Sequence, residues 1–209
     1  MKNEFLSRLI EEFKFLNKVP KFQLERAISP LLAIFILDVI NKECSEASVI
    51  NYYPEFPLKK RGSKQSTNID WLLADEKNKT LYCVELKTDS KSYDKEQNKI
   101  YKSTKKKVER FGAAFLLKGL KSISKKSNRS DKYSDYLNKF NLKKKDLKDY
   151  KKFFIVYLAP DKPDNQDIFS DSLILFNKLP EDLGTDNFKT EWIQLLKFLK
   201  SLSPKDEEK

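Results

Sequence analysis

The chain contains no histidine. Imidazole is the side chain whose ordinary charge change falls near neutrality. Its absence excludes Ser-His-Asp and Cys-His hydrolysis, His-coordinated zinc and His-based nuclease chemistry. Catalysis therefore falls to carboxylates, lysines or tyrosines, with an oxygen-liking metal as the available electrophile. Cysteine is scarce too. Cys44 and Cys83 lie 39 positions apart without metal-ligand spacing, which reads as two small buried hydrophobes of a reducing compartment rather than a disulfide framework. Arginine supplies only 5 of the 42 basic residues, which weakens any case for bidentate reading of guanine. The most apolar stretch, Ile28 to Ile40, is too short to span a bilayer and contains Pro30 and Asp38. The opening MKNEFLSRLIEEF is charged throughout and lacks the apolar core of a secretion signal. A cytoplasmic protein with no membrane partner is expected.

What the chain does have is a foldable body. Its 209 residues are 39% hydrophobic and 12% aromatic, enough to bury one core. A single domain over 1–203 is expected, followed by a solvated tail at 204–209. The net charge of +11 points to a polyanionic partner, nucleic acid above all. An AT-rich genome, with its excess of lysine, asparagine and isoleucine, accounts for the same count equally well.

Apolar spacing predicts a helix over 4–18, ending at Pro20, and a second from Phe22 to Lys42. Strands are expected over Asn51–Leu58, Ser66–Ala74 and Thr80–Thr88, the first two joined by the basic loop KKRGSKQ. A helix follows from Tyr93 to Leu117. From about 119 to 152 the chain is dense in lysine, serine and asparagine. This basic insert reads as a solvated surface or as an arm that follows phosphates, with a short helix at Asp131–Phe140. Phe153–Ala159 has the length and apolarity of a central strand. Ser172–Phe176 is a weaker strand, and Thr190–Leu202 a closing helix.

Two apolar strands carry acids, and a buried charge needs a partner. Asp70 lies within NIDWLLA, and Glu85 and Lys87 lie within LYCVELK, on one face of their strand. If the hairpin closes at Lys77-Asn78, Leu72 faces Cys83 and Asp70 faces Glu85. Opposed like charges destabilise a sheet unless something positive lies between them. Lys87 serves in part, and Mg²⁺ suits such a pair of acids. The pattern acid-x-Lys has no value alone: composition gives about six by chance, and the chain has seven. Only the one at Glu85 lies in an apolar strand that follows another acid-bearing apolar strand.

Asp70 followed by Glu85-Leu86-Lys87 resembles the D…(D/E)xK signature of the PD-(D/E)xK nuclease superfamily. Gln97 and Tyr101 resemble the QxxxY motif of some of its branches. Glu25, in LERAISPLLAIFIL, is similar to the glutamate that many members carry on the helix before the sheet. Ile69 stands where the motif often has proline. The resemblance covers 22–160 and implies a restriction-endonuclease-like α/β fold, with an αβββαβ core around a mixed sheet flanked by helices. It implies that Asp70, Glu85 and the backbone carbonyl of Leu86 ligate Mg²⁺, with Mn²⁺ able to substitute and Glu25 the candidate for a second ion. Lys87 would orient or activate water and offset phosphate charge. Gln97 would hold Lys87 or a phosphate, and the Tyr101 phenol would contact the nucleic-acid backbone.

The expectation is a Mg²⁺-dependent hydrolase of phosphodiester bonds, most readily of DNA, in defence, repair or mobile-element processing. Its rivals are a nuclease acting on RNA and an inactive DNA-binding or complex-assembly subunit that keeps the fold. Lys59, Lys60, Arg61 and Lys64 of the basic loop, with Tyr101 and Lys105 of the next helix, are the candidate nucleic-acid contacts. No specificity domain is visible, so a homodimer or a targeting protein is the expected further partner.

Overall fold

The amphipathic N-terminal segment forms helix α1 (Glu4–Leu16), with Leu6, Ile10 and Phe13 turned inward. A computed structural model describes residues 4–19, 22–60, 66–127, 133, 136–138, 147–184 and 186–204. The segment expected as one helix from Phe22 to Lys42 is two, α2 (Leu24–Ala33) and α3 (Ile36–Glu43). The interruption falls at Ile34 and Phe35, where the Phe35 ring packs 5.1 Å from Trp192. Burial of that ring outweighs helix continuity.

Strands β1 (Asn51–Lys59), β2 (Ser66–Asp75) and β3 (Thr80–Leu86) form an antiparallel meander. The expected hairpin register holds: Leu72 pairs with Cys83. Asp75 secures the turn by accepting the Ser48 and Asn78 N–H groups and the Asn78 side-chain amide. Burial alone would raise this carboxyl, but those bonds hold it below the ordinary value.

After β3 come α4 (Lys95–Phe111) and α5 (Ala114–Ser124). They replace the single helix expected from Tyr93 to Leu117. Gly112 separates them at φ 70°, ψ −175°, a conformation open to glycine. An added Cβ there would lie 2.5 Å from the Leu147 carbonyl oxygen. Residues 119–124, expected within the basic insert, continue α5 instead. Strands β4 (Lys152–Ala159) and β5 (Ser172–Leu175) then join in parallel, completing a five-stranded mixed sheet in the order β1-β2-β3-β4-β5. Helix α6 (Lys189–Leu202) closes the chain.

Alternation along the strands builds two cores. Trp71, Leu73, Val84, Leu86, Val156 and Leu158 meet α1, α2, α3 and α6 on one face. Leu72, Cys83, Ile155 and Tyr157 meet α4 and α5 on the other. The architecture is thus α/β, with helices on both faces of the sheet. Cys44 and Cys83 are free, Cys83 being buried. Among the described residues, no helix is long and apolar enough to cross a membrane.

Of the expected helix at Asp131–Phe140, only Tyr133 and 136–138 are described. Tyr133, Tyr136 and Leu137 pack on the α4/α5 core, and the Tyr136 hydroxyl donates to the Pro54 carbonyl at 2.7 Å. These tyrosines therefore serve packing. Arg61 and Lys64 lie outside the described residues, as do 205–209 of the expected tail.

Candidate active site

The cleft begins where the meander opens. Pairing of β2 with β3 runs from Asp75↔Thr80 up to Trp71↔Val84 and stops one residue short of Asp70. Beyond that point β3 stays with β4, through Glu85↔Tyr157 and Leu86↔Leu158, while β2 stays with β1. Instead of facing Glu85 in a ladder pair, Asp70 turns its carboxylate to the Leu86 N–H, accepting at 2.7 Å. Opposed carboxylates repel, and the Leu86 N–H offsets part of that repulsion at Asp70.

The outer pair of strands changes phase at the same level. Ile69 and Leu72 contribute to the same core although they are three residues apart, as do Tyr53 and Phe56. Strict alternation would put each pair on opposite faces. The slip is shared because Pro54↔Trp71 and Phe56↔Ile69 keep one register across it, with Glu55 at φ 51° and Asp70 opposite. Asp70 is thereby aimed into the opening between β2 and β3.

Three elements converge there. Glu25 comes from the first turn of α2, Asp70 from the gap in β2, and Glu85 from the end of β3. One carboxylate oxygen from each lies within 4.8 Å of the other two. Lys87, just past β3, is held by its N–H on the Leu158 carbonyl at 2.9 Å. Its Nζ lies 3.0 Å from Glu85 Oε1 and 3.9 Å from Glu25 Oε2. Glu85 and Lys87 are only 2% and 3% exposed, so their ion pair lies in a medium that screens poorly, with two further acids beside it.

The electrostatics follow from this crowding. Burial, then the charges of Glu85 and Glu25, push Asp70 well above the usual carboxylate range. Burial also raises Glu25, with Glu85 and Asp89 adding to it and Lys87 opposing. For Lys87, burial pulls downward, but Glu85 and Glu25 outweigh it and hold the ammonium above the ordinary lysine value. Lys87 is a fixed cation at neutral pH.

The QxxxY pair has a different task from the one expected. Asp94 caps α4, accepting from the Glu96 and Gln97 N–H groups, and so fixes the first turn that carries Gln97. The Gln97 amide donates to the Asn68 carbonyl at 3.3 Å, not to Lys87. Tyr101, one turn on, is fully buried. Its hydroxyl stands 2.6 Å from Glu85 Oε2 and 3.0 Å from the Asn68 carbonyl. A phenol so placed cannot reach a nucleic-acid backbone. Gln97 and Tyr101 instead tie α4 to the backbone just before Asp70 and to Glu85 itself.

Other expected contacts separate. Lys105 is ion-paired with Asp171, whose second oxygen accepts the Ile155 N–H. Lys59 lies at the far end of β1, its Nζ donating to Ser122 Oγ at 2.8 Å. Sequence reasoning missed Asn68, whose backbone carbonyl is the shared acceptor, and Asn98. Buried Asn98 donates to the Tyr157 hydroxyl and the Phe169 carbonyl and accepts the Phe169 N–H. An asparagine on the inward face of an amphipathic helix was the available signal.

The cluster opens into a cleft of about 350 Å³, lined by its three acids and a fourth, Glu55, with Arg26, Gln97, Asn68 and the hydroxyl residues Ser29, Ser66 and Thr67. The donor set is all oxygen, which fits a hard cation such as Mg²⁺ or Mn²⁺. Oxygens on one octahedral ion with bonds of about 2.1 Å are separated by roughly 3–4 Å. A separation limit of 4.8 Å is therefore close to what three ligands on one ion need. No protein-family model, curated protein or solved structure matches the chain.

Proposed function

We propose that this protein is a metal-dependent nuclease built on a restriction-endonuclease-like core, hydrolysing phosphodiester bonds of DNA. The observation that carries the reading is the convergence of Glu25, Asp70 and Glu85 around a lysine fixed 3.0 Å from Glu85. Three acids lining an open polar cleft, with a buried ammonium behind Glu85, form an arrangement that stability alone does not favour.

Asp70 and Glu85 would hold the ion, with Glu25 closing the set. Bound Mg²⁺ would supply Lewis acidity and lower the pKa of a bound water. Lys87, held as an ammonium, would offset charge on the phosphate as the water oxygen bonds to phosphorus, the ester P–O bond breaks and the proton that water loses ends, through solvent, on the leaving oxygen. Tyr101 holds the Glu85 carboxylate in place throughout. Gln97 keeps the Asn68 backbone, and with it Asp70, against α4.

Circular plasmid, linear duplex, single-stranded DNA and RNA, each incubated with Mg²⁺, Mn²⁺ or EDTA, test the reading. Wild type is expected to cut DNA with either metal and not in EDTA. Asp70→Asn and Lys87→Met are expected to lose at least about 100-fold in rate, the scale of removing one transition-state stabiliser. Nucleic-acid binding with equal inertness in wild type and variants would instead identify a binding subunit. Cleavage of RNA alone would reassign the substrate.

A further inference from the structure

The lysines of α5 have a definite shape around them. Two hollows of about 510 and 330 Å³ lie side by side and share Lys118 and Ser122. Lys121, Lys125 and Lys126 line the first, and Lys59, Lys60 and Lys107 line the second. No acidic residue lines either hollow among the described residues. None of these seven lysines is ion-paired to a described residue.

One strand pair brings the groove beside the acidic cleft. Lys59 pairs across the sheet with Ser66, and Ser66 lines the cleft wall that leads to Asp70. Four residues of strand separate Ser66 from Asp70, about 13 Å at strand rise. Lys118, Lys121 and Lys125 recur at i, i+3 and i+7 on α5, spanning about 10 Å along one helix face. The Lys59–Ser122 hydrogen bond joins the two elements. Together they form one wall of cations leading away from the carboxylates. Arginine is absent from both linings, so the groove carries point charges suited to phosphates rather than forks suited to base edges.

We propose that this groove, from Lys59 and Lys60 along α5 to Lys125, is the track on which one nucleic-acid strand leaves the carboxylate cleft. The inference rests on the nuclease reading for its direction, and it adds a surface which that reading does not need. Phosphates are held there without regard to sequence. At the stacked spacing of about 3.4 Å per nucleotide, about four nucleotides cover the distance from Asp70 to Ser66, the strand partner of Lys59. Longer strands enter the lysine wall.

The test measures binding of labelled DNA and RNA oligonucleotides to the full chain in EDTA, so that it does not depend on cleavage. The triple variant Lys118→Gln/Lys121→Gln/Lys125→Gln is compared with Lys178→Gln/Lys197→Gln/Lys200→Gln, which removes equal charge from the opposite face of the sheet. Circular dichroism checks that both fold. The groove variant is expected to bind long oligonucleotides at least about tenfold more weakly and to lower the salt slope by about 2 to 3, near one per phosphate contact. The control should move by less than about twofold, since its lysines meet no phosphate. Oligonucleotides of about four nucleotides, which end near Lys59 before the substituted lysines, should not distinguish the variants.

Equal effects of the two triple variants would overturn the track and leave only net charge. Absence of any binding by wild type would overturn it as well. Groove-dependent binding without cleavage by wild type in Mg²⁺ or Mn²⁺ would sustain the track and defeat the nuclease reading. The relative losses for DNA and RNA tell which strand the groove prefers.

Discussion

The Tyr101 hydroxyl lies 2.6 Å from Oε2 of Glu85, on the opposite side of the carboxylate from Lys87. Both oxygens of this buried acid are thus engaged, one by a phenol and one by an ammonium. Tyr101→Phe removes the neutral partner and leaves the ring's packing intact. A buried acceptor left short of a partner costs about 1–3 kcal/mol. Urea denaturation in EDTA is expected to show a loss in that range with an unchanged slope. A variant as stable as wild type would mean that this bond adds nothing.

The pH dependence of the metal-free protein should carry the mark of the crowded acids. Asp70 and Glu25 are raised, mainly by burial and then by their neighbours. Between the ordinary carboxylate range and those raised values, the folded state binds more protons than the unfolded one. Their contribution to stability therefore falls as pH rises through that window and stays low above it. Mg²⁺ needs the deprotonated acids, so its affinity rises through the same window. Asp70→Asn keeps an acceptor for the Leu86 N–H and removes one charge. In EDTA at neutral pH it is expected to melt about 2–4 °C higher than wild type, the effect of roughly 1 kcal/mol in a chain of this size. It should also lose the Mg²⁺-induced rise. Thermal scans against pH, with and without metal, decide this. A lower melting point for Asp70→Asn in EDTA would contradict it.

Gly112 offers a test of the fold away from the cleft. Its backbone conformation is almost confined to glycine, and a Cβ would press on the Leu147 carbonyl oxygen and the Lys148 backbone. Neither neighbour is a side chain that could swing aside. Gly112→Ala is expected to cost at least about 2 kcal/mol, read from denaturant midpoints. A neutral result would mean that the α4–α5 junction relaxes freely.

The hairpin was legible because two constraints agreed. The polar turn at Lys77-Asn78 set the register, and the period of two placed Glu85 and Lys87 together, so Leu72 opposite Cys83 followed. What no pattern showed was the end of the ladder just before Asp70. There the Asp70 carboxylate, not a ladder carbonyl, accepts the Leu86 N–H, an exchange that alternation does not encode. The helices were less legible. Leu31 to Ile40 is apolar almost all round, so its periodicity was unchanged where the helix broke at Ile34 and Phe35. Phe111 and Phe115 kept a helical spacing across Gly112, which concealed the junction. The lysine and serine density of 119–152 as a whole drew 119–124 into the insert, although Leu116 and Leu120 continue the buried stripe of α5. Tyr101 was on the page as a member of an inward face. Its partner Glu85 followed only from the packing of α4 on the sheet.

The departure of β2 from β3 also bears on how the cluster assembles in time. Asp70 and Glu85 are 15 residues apart and share a hairpin, whereas Glu25 precedes Asp70 by 45 residues. The hairpin half depends on short-range contacts, which close early, and the third acid arrives only when α2 docks on the sheet. An ion that needs all three acids finds no complete site before that docking. It would bind after the barrier has been crossed, slowing escape from the native state and leaving the rate of reaching it unchanged.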